Sequence, residues 1–270
     1  MEQTLGLICG AGALPARMAE EARRRGWRVL AFAFDDAAVM ASHADRVIPA
    51  RMDALGAILS TLQAEGIPAV LFSGRFSMAE IVRTDATRGD ALVRELDQAG
   101  SRVDAALVGT IISTLAALGI EVLDQRPFFG DSLAPAGAWT RRAPSEAEWG
   151  DVGRGVEMAR LMADARIGQT VVMRRGVVAA VEAIEGTTEA IRRGTAQAGP
   201  GAVIVKATAR DHDYRFDVPG IGLETVQAAL KGGASVIAVE AGRVFVLDRE
   251  AIIREADAAG LALIGIEARG

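Results

Sequence analysis

The chain has 270 residues, half of them apolar and 24% charged, a composition that can build a globular core unaided and excludes a disordered chain. A formal net charge of −5 with no concentrated basic block, and aromatics at only 4%, argue against a nucleic-acid binder, which needs a basic face and stacking rings. No run approaches the roughly 18 apolar residues of a membrane span, and no basic region precedes the short apolar segment at the start, so neither a membrane helix nor a signal peptide is expected.

In chain order, Leu5 to Cys9 reads as a buried strand, GAGALP as a glycine turn, Ala16 to Arg25 as a helix ended by Gly26, and Arg28 to Phe34 as the next strand. Cys9, the single cysteine, has no partner for an internal disulfide, suits a reducing compartment and reads as core packing. Asp53 to Glu65 is helical, and Ala69 to Phe72 is a buried strand before Ser73-Gly74-Arg75. Arg88-Gly89-Asp90 reads as a helix start capped by Asp90; Asp90 to Leu118 holds two helical patterns broken at Gly100, and Ile120 to Leu123 is a strand. Such alternation predicts a Rossmann-like α/β domain with a parallel sheet over residues 1–126.

Over 127–150 the periodicity lapses in a segment rich in proline and glycine, which reads as a linker. Residues 151–270 form a second, mixed α/β domain. Its expected elements are a helix from Asp151 to Ala165, strands Thr170 to Met173 and Val177 to Val181 around a tight turn, and a helix at Thr188 to Arg193. A strand at Ala202 to Lys206, a helix at Leu223 to Lys231 and strands at Ser235 to Val239 and Val244 to Leu247 follow. A helix from Asp248 to Ala259 and a strand from Leu261 to Ile266 end the domain.

Gly10 and Gly12 before Leu14-Pro15 make a strand-to-helix turn whose amides and helix dipole favour a phosphate, though the same turn also serves structure alone. The pattern is GxGxxP, without the third glycine of the dinucleotide fingerprint. Asp35 and Asp36 after the second strand are candidates for a ribose or for a loop cap. Ser73-Gly74-Arg75 falls at the same carboxyl edge of the sheet, with Arg75 as a candidate phosphate clamp or a solvated surface cation.

Carboxylates concentrate in the second half: Glu182, Glu185, Asp211, Asp213, Asp217 and Glu240. At strand ends such groups can gather Mg²⁺, which pyrophosphate hydrolysis uses, or act singly as caps and solvated charges. HExxH, CxxC, GxSxG and P-loop motifs are absent, which disfavours zinc proteases, serine hydrolases and Walker-type NTPases. The only two histidines, His43 and His212, are too isolated from each other for a histidine-based metal site.

GLICGAGALP (6–15), the SGR after a strand (73–75), LAPAG in the linker, IGQTVV (167–172), AVEAIEGT (180–187), Lys206, RFDVPGIG (215–222) with Thr225, and AVEAGR (238–243) appear in that order. In this the chain resembles the LpxI-type UDP-2,3-diacylglucosamine pyrophosphatases of lipid A biosynthesis, over nearly its whole length. It departs from the family pattern at Thr188, where an aspartate is usual, and over 209–213, which reads ARDHD and keeps only the last position, Asp213. The resemblance implies two domains with a cleft between them. It also implies Mg²⁺-dependent hydrolysis of UDP-2,3-diacylglucosamine to UMP and 2,3-diacylglucosamine 1-phosphate (lipid X), by a cytoplasmic hydrolase peripheral to the inner membrane. It carries the catalytic aspartate onto Asp217, and with the strand-end acids Glu185 and Glu240 this residue makes up the candidate metal set. It carries substrate contacts onto Gly10, Ala11, Gly12, Ala13, Leu14, Ser73, Gly74, Arg75, Thr187, Lys206, Arg215, Thr225 and Arg243. A homodimer is implied too, and the proline-rich hinge invites exchange of domains between protomers. Phe128, Phe129, Leu133 and Trp139 are candidates for covering the acyl chains, or for packing the domains. The rival reading, from GxGxxP and Asp35, is a non-catalytic nucleotide-sugar or dinucleotide-binding module without hydrolytic chemistry.

Overall fold

The computed structural model describes residues 3–76, 89 and 104–267. The chain forms two compact units: Met1–Phe129 with Asp213–Asp217, and Gly130–His212 with Val218–Gly270. The helix start expected at Arg88 and Asp90 and the break expected at Gly100 lie outside the described residues.

In the first unit β1 (Thr4–Cys9), β2 (Arg28–Ala33), β3 (Arg46–Pro49), β4 (Ala69–Ser73) and β5 (Glu121–Val122) form one parallel sheet in the order β3-β2-β1-β4-β5. Helices α1 (Leu14–Arg24), α2 (Ala37–Met40), α3 (Leu55–Ala64) and α4 (Asp104–Ala117) lie between the strands in sequence. The strand order reverses direction between β1 and β4, the switch point where ligands of open α/β sheets bind. Ile8, Val70 and Phe72 pack with Ile58 and Leu62 of α3 in one apolar cluster. The alternate residues of β4 therefore turn to the other face of the sheet.

Helix α2 and strand β3 are additions to the elements expected from sequence. Asp36 accepts the Ala38 amide at 2.8 Å and so caps a helix of a single turn. Strand β3 is a half-buried edge that ends at Pro49, where a missing N–H does no harm. Neither carries enough apolar periodicity to stand out in sequence.

In the second unit β6 (Gly137–Ala138), β7 (Thr170–Arg174), β8 (Val177–Val181), β9 (Val203–Lys206), β11 (Val236–Glu240) and β13 (Ala262–Ile266) form a sheet in the order β6-β13-β11-β9-β7-β8. Its β13-β11-β9 centre is parallel, while β6 and the β7–β8 hairpin run antiparallel. β10 (Gly220–Ile221) pairs with β12 (Phe245–Val246) as a separate ribbon. Helix α5 (Glu146–Asp164) packs Val152 and Ala159 against Met173, Val203, Val205 and Ala238 on one face. On the other face α6 (Thr187–Ala198), α7 (Leu223–Lys231) and α8 (Arg249–Ala259) bury Ile191, Val226 and Ile252 with Val172, Ile204 and Ile237. Truncating such a side chain to alanine costs about 2–5 kcal/mol.

The stretch 127–150 is not featureless. It holds most of a 3-10 turn (Arg126–Ser132), strand β6, and the start of α5, which begins five residues earlier than its apolar pattern because Ser145 and Glu148 form a capping box. Phe128 and Phe129 are buried, and the Arg25 guanidinium lies 5.3 Å over the Phe128 ring. Trp139 packs on the core of the second unit and donates its Nε1–H to the Pro135 carbonyl at 3.0 Å.

Candidate functional site

At the switch point the loops after β1 and β4 interlock. The Gly10 amide donates to the Ser73 carbonyl at 2.8 Å, and Ala11 and Arg75 exchange backbone hydrogen bonds at 2.9 and 2.8 Å. A Cβ on Gly10 would meet the Arg75 carbonyl oxygen at 2.6 Å, and one on Gly74, whose φ is +86°, would meet the Gly10 oxygen and Pro15 Cγ at 2.8 Å. These two glycines are thus demanded by close packing of backbone, and the Gly10 and Ala11 amides already have acceptors. What remains open lies one step on: Gly12 has φ +100°, a Cβ added there would meet nothing within 4 Å, and α1 starts after Ala13 with no side-chain cap. Uncapped first-turn amides carry the positive end of the helix dipole.

Ser73 closes this corner. It is 2% exposed, and its Oγ has no hydrogen-bond partner among the described residues. By strand alternation its side chain turns to the sheet face opposite the α3 cluster. A buried hydroxyl left unpaired is unfavourable by about 1–3 kcal/mol. Arg75 is exposed beside it.

Residues 213–217 belong to the same unit. Phe216 packs on Phe72 with ring centroids 4.7 Å apart, the Arg126 guanidinium lies 4.6 Å over Tyr214, and the Gln125 amide donates to the Tyr214 carbonyl at 3.1 Å. Asp217, exposed, follows the anchored Phe216. Local sequence suggests a strand end at Asp217; instead a turn over 214–216 precedes it, started by Asp213, whose Oδ1 accepts the Arg215 amide at 3.0 Å. Asp213 also holds the Arg215 guanidinium at 2.9 and 2.7 Å, a bond that raises the Arg215 pKa.

In the second unit Lys206 and Thr187 come together. Lys206 Nζ donates to Thr187 Oγ1 at 2.9 Å and to Thr170 Oγ1 at 3.3 Å, and the Glu182 carboxylate lies 3.6 Å away. Burial pushes Glu182 up, but the Lys206 charge and hydrogen bonds from Thr170, Thr187 and the Gln169 amide outweigh it and leave its pKa lowered. Thr225 is buried at the start of α7, where its Oγ1 accepts the Gly222 amide at 3.4 Å. Arg243 donates to the Ala209 and Arg210 carbonyls; with Asp164 accepting the Arg210 amide and Asp211 pairing with Arg166, it ties down the loop that departs from the family pattern.

Most of the expected acids have cationic neighbours of their own. Glu240 is fully buried and accepts from the Thr208 amide and hydroxyl at 2.9 Å and from Arg160 at 2.7 Å; burial raises its pKa, and these donors more than reverse that. Glu185 pairs with Arg193. Among the described residues no three His, Cys, Asp or Glu side chains gather as a group that could hold a metal ion. Glu240, buried with Arg160, and Glu185, exposed but paired with Arg193, are therefore poor fits for Mg²⁺; Asp217 is exposed. Sequence reasoning missed the orphaned Ser73 hydroxyl and the role of Glu182, both of which depend on strand register. Among the described residues no helix is long and apolar enough to cross a membrane.

Two family models match the chain, the LpxI N-terminal domain over residues 4–132 and the LpxI C-terminal domain over residues 135–264. A UDP-2,3-diacylglucosamine pyrophosphatase LpxI from Caulobacter vibrioides is 33% identical over 97% of this chain and 97% of its own length. Among solved structures, an N5-carboxyaminoimidazole synthetase from Staphylococcus aureus complexed with ADP is 16% identical over 65% of this chain and 39% of its own, with a TM-score of 0.25, too slight a likeness to carry an argument.

Proposed function

This chain belongs to the LpxI family, and on that premise we propose that it hydrolyses the pyrophosphate of UDP-2,3-diacylglucosamine, as the Caulobacter relative's name describes, in lipid A biosynthesis. Water adds across one P–O bond, so that one phosphate leaves as UMP and the other as 2,3-diacylglucosamine 1-phosphate. The observation that carries the reading is the 33% identity spanning 97% of both chains. The uncapped start of α1 after the glycine turn supports it, because a helix N-terminus with free first-turn amides suits phosphate oxygens.

Asp217 orients the attacking water and takes up its proton; its exposed carboxylate follows Phe216, whose ring packs on Phe72. Lys206 meets the negative charge of the phosphates. The resemblance implies Mg²⁺, and Asp217 with the substrate's own oxygens suits an ion that takes one or two carboxylates and keeps several waters. When bound, that ion neutralises charge on the pyrophosphate. The acylated substrate puts the enzyme at the cytoplasmic face of the inner membrane, as a homodimer by family resemblance.

The test is an assay of purified protein on UDP-2,3-diacylglucosamine, with and without Mg²⁺. Equimolar UMP and diacylglucosamine 1-phosphate, lost on chelation, are the expected products. Folded protein that releases no UMP, or that carries bound NAD(P) instead, sinks the reading in favour of a dinucleotide-binding module.

A further inference from the structure

The Lys206 side chain is only 5% exposed, and an ammonium taken out of water needs compensation. Its two hydrogen-bond acceptors, Thr187 and Thr170, are neutral hydroxyls. Among the described residues the carboxylate within ion-pair reach is Glu182, at 3.6 Å, longer than a hydrogen bond. Glu182 therefore acts on Lys206 in two ways, directly through its charge and through a hydrogen bond by way of Thr187. An ammonium only donates and a carboxylate only accepts, so the single Thr187 hydroxyl proton must go to Glu182 Oε1, 2.8 Å away, leaving the Thr187 oxygen to accept from Lys206.

Glu182 is itself fixed. Its amide donates to the Thr170 carbonyl at 2.8 Å, its Oε2 accepts the Gln169 amide at 3.3 Å, and Gly168 lies so close that a Cβ there would sit 2.2 Å from the Glu182 carbonyl oxygen. Other charges around the cluster are engaged elsewhere. Glu185 pairs with Arg193, Glu189 pairs with Arg192, and Glu240 lies with Arg160 of α5, on the sheet face opposite Lys206 by strand alternation.

Resting on the pyrophosphatase reading, we propose that Glu182 is a positioning residue: by holding the Thr187 hydroxyl it sets the Lys206 ammonium so that its third N–H is kept for a substrate phosphate oxygen. Thr187 then offers no hydroxyl proton to the substrate. Its contribution to an anion is confined to its main-chain amide at the start of α6, where Gly186 supplies no side-chain cap.

The test uses the full chain with Glu182→Gln, Thr187→Val and Thr187→Ser. In Glu182→Gln the new side-chain amide sets a donor against either the Gln169 amide or the Thr187 hydroxyl, so the relay is broken with little change of shape. Because the charge that Lys206 meets grows in the transition state, kcat should fall about 10- to 100-fold in Glu182→Gln and Thr187→Val, with KM within about threefold and Thr187→Ser close to the parent. A merely structural role lowers the melting temperature instead, leaving kcat and KM per folded molecule within about twofold of the parent, and that result overturns the inference. Nitrogen NMR of the Lys206 ammonium, assigned by its loss in Lys206→Met, gives an arm without turnover: the signal should shift in Glu182→Gln, and an unmoved signal also overturns the inference. A parent chain that does not hydrolyse the substrate overturns the pyrophosphatase reading itself.

Discussion

Replacing Gly74 with alanine probes the interlock at the switch point. Two unfavourable contributions arise. At φ +86° an L side chain is strained by about 1–2 kcal/mol, and the new methyl would lie 2.8 Å from the Gly10 oxygen, 2.8 Å from Pro15 Cγ and 2.9 Å from the Ala11 oxygen. Two of those three atoms are backbone and cannot swing aside, so an overpacking term of about 1–3 kcal/mol adds to the strain. The sum is about 2–5 kcal/mol of unfolding free energy. Gly12→Ala supplies the control, since its φ of +100° carries the backbone term while no atom lies within 4 Å of the added methyl. Urea unfolding followed by circular dichroism measures both variants. Gly74→Ala should lose at least about 1 kcal/mol more than Gly12→Ala, and its KM should rise as the Ala11–Arg75 bridge is strained. Equal losses in the two variants would refute the packing argument.

Asp217→Ala should remain folded, because surface changes usually stay within about 0.5 kcal/mol, while turnover per folded molecule falls by at least about a thousandfold; near-parental turnover by that variant rejects the catalytic assignment. Hydrogen bonds from Ser235, the Ser145 amide and Arg142 overcome burial and bring the Glu148 pKa down to about 2. A depressed carboxylate stabilises above its ordinary value and loses that contribution as pH falls from about 4.5 towards about 2. Glu148→Gln should therefore be less stable at neutral pH and show a flatter acid limb in melting temperature, and parallel curves for the two proteins would count against it. Burial pushes the Cys9 thiol up to about 12, so it should resist a disulfide reagent at about pH 8 in native buffer and react fully in denaturant; rapid native labelling would contradict its place in the core.

The parallel layer was legible because its strands are short apolar runs closed by glycine. Leu5 to Cys9 and Ala69 to Phe72 are bounded by Gly10 and Gly74, and the structure ends both strands there within a residue. The α5 start was not legible from apolar spacing, since Ser145 and Glu148 act through hydrogen bonds alone. In the candidate site, motif resemblance singled out Thr187, Lys206 and Asp217 as candidates but could not show their neighbours. Glu182 is one acid among several in that half of the chain, and only the β7–β8–β9 register brings it to Lys206. Phe216 read as part of a motif, whereas its ring packs on Phe72, far earlier in the chain.

The return of residues 213–217 to the first unit means that neither unit is a continuous length of polypeptide. A fragment cut at the boundary near residue 133 between the two family domains would keep Phe72 and Arg126 but lose the rings of Phe216 and Tyr214 that they contact, and with them Asp217. Chimeras between family members face the same constraint. An exchange of N-terminal halves that leaves 213–217 behind brings a foreign pentapeptide to the host's Phe72, so the loop has to travel with the half it packs on rather than the half it is encoded in.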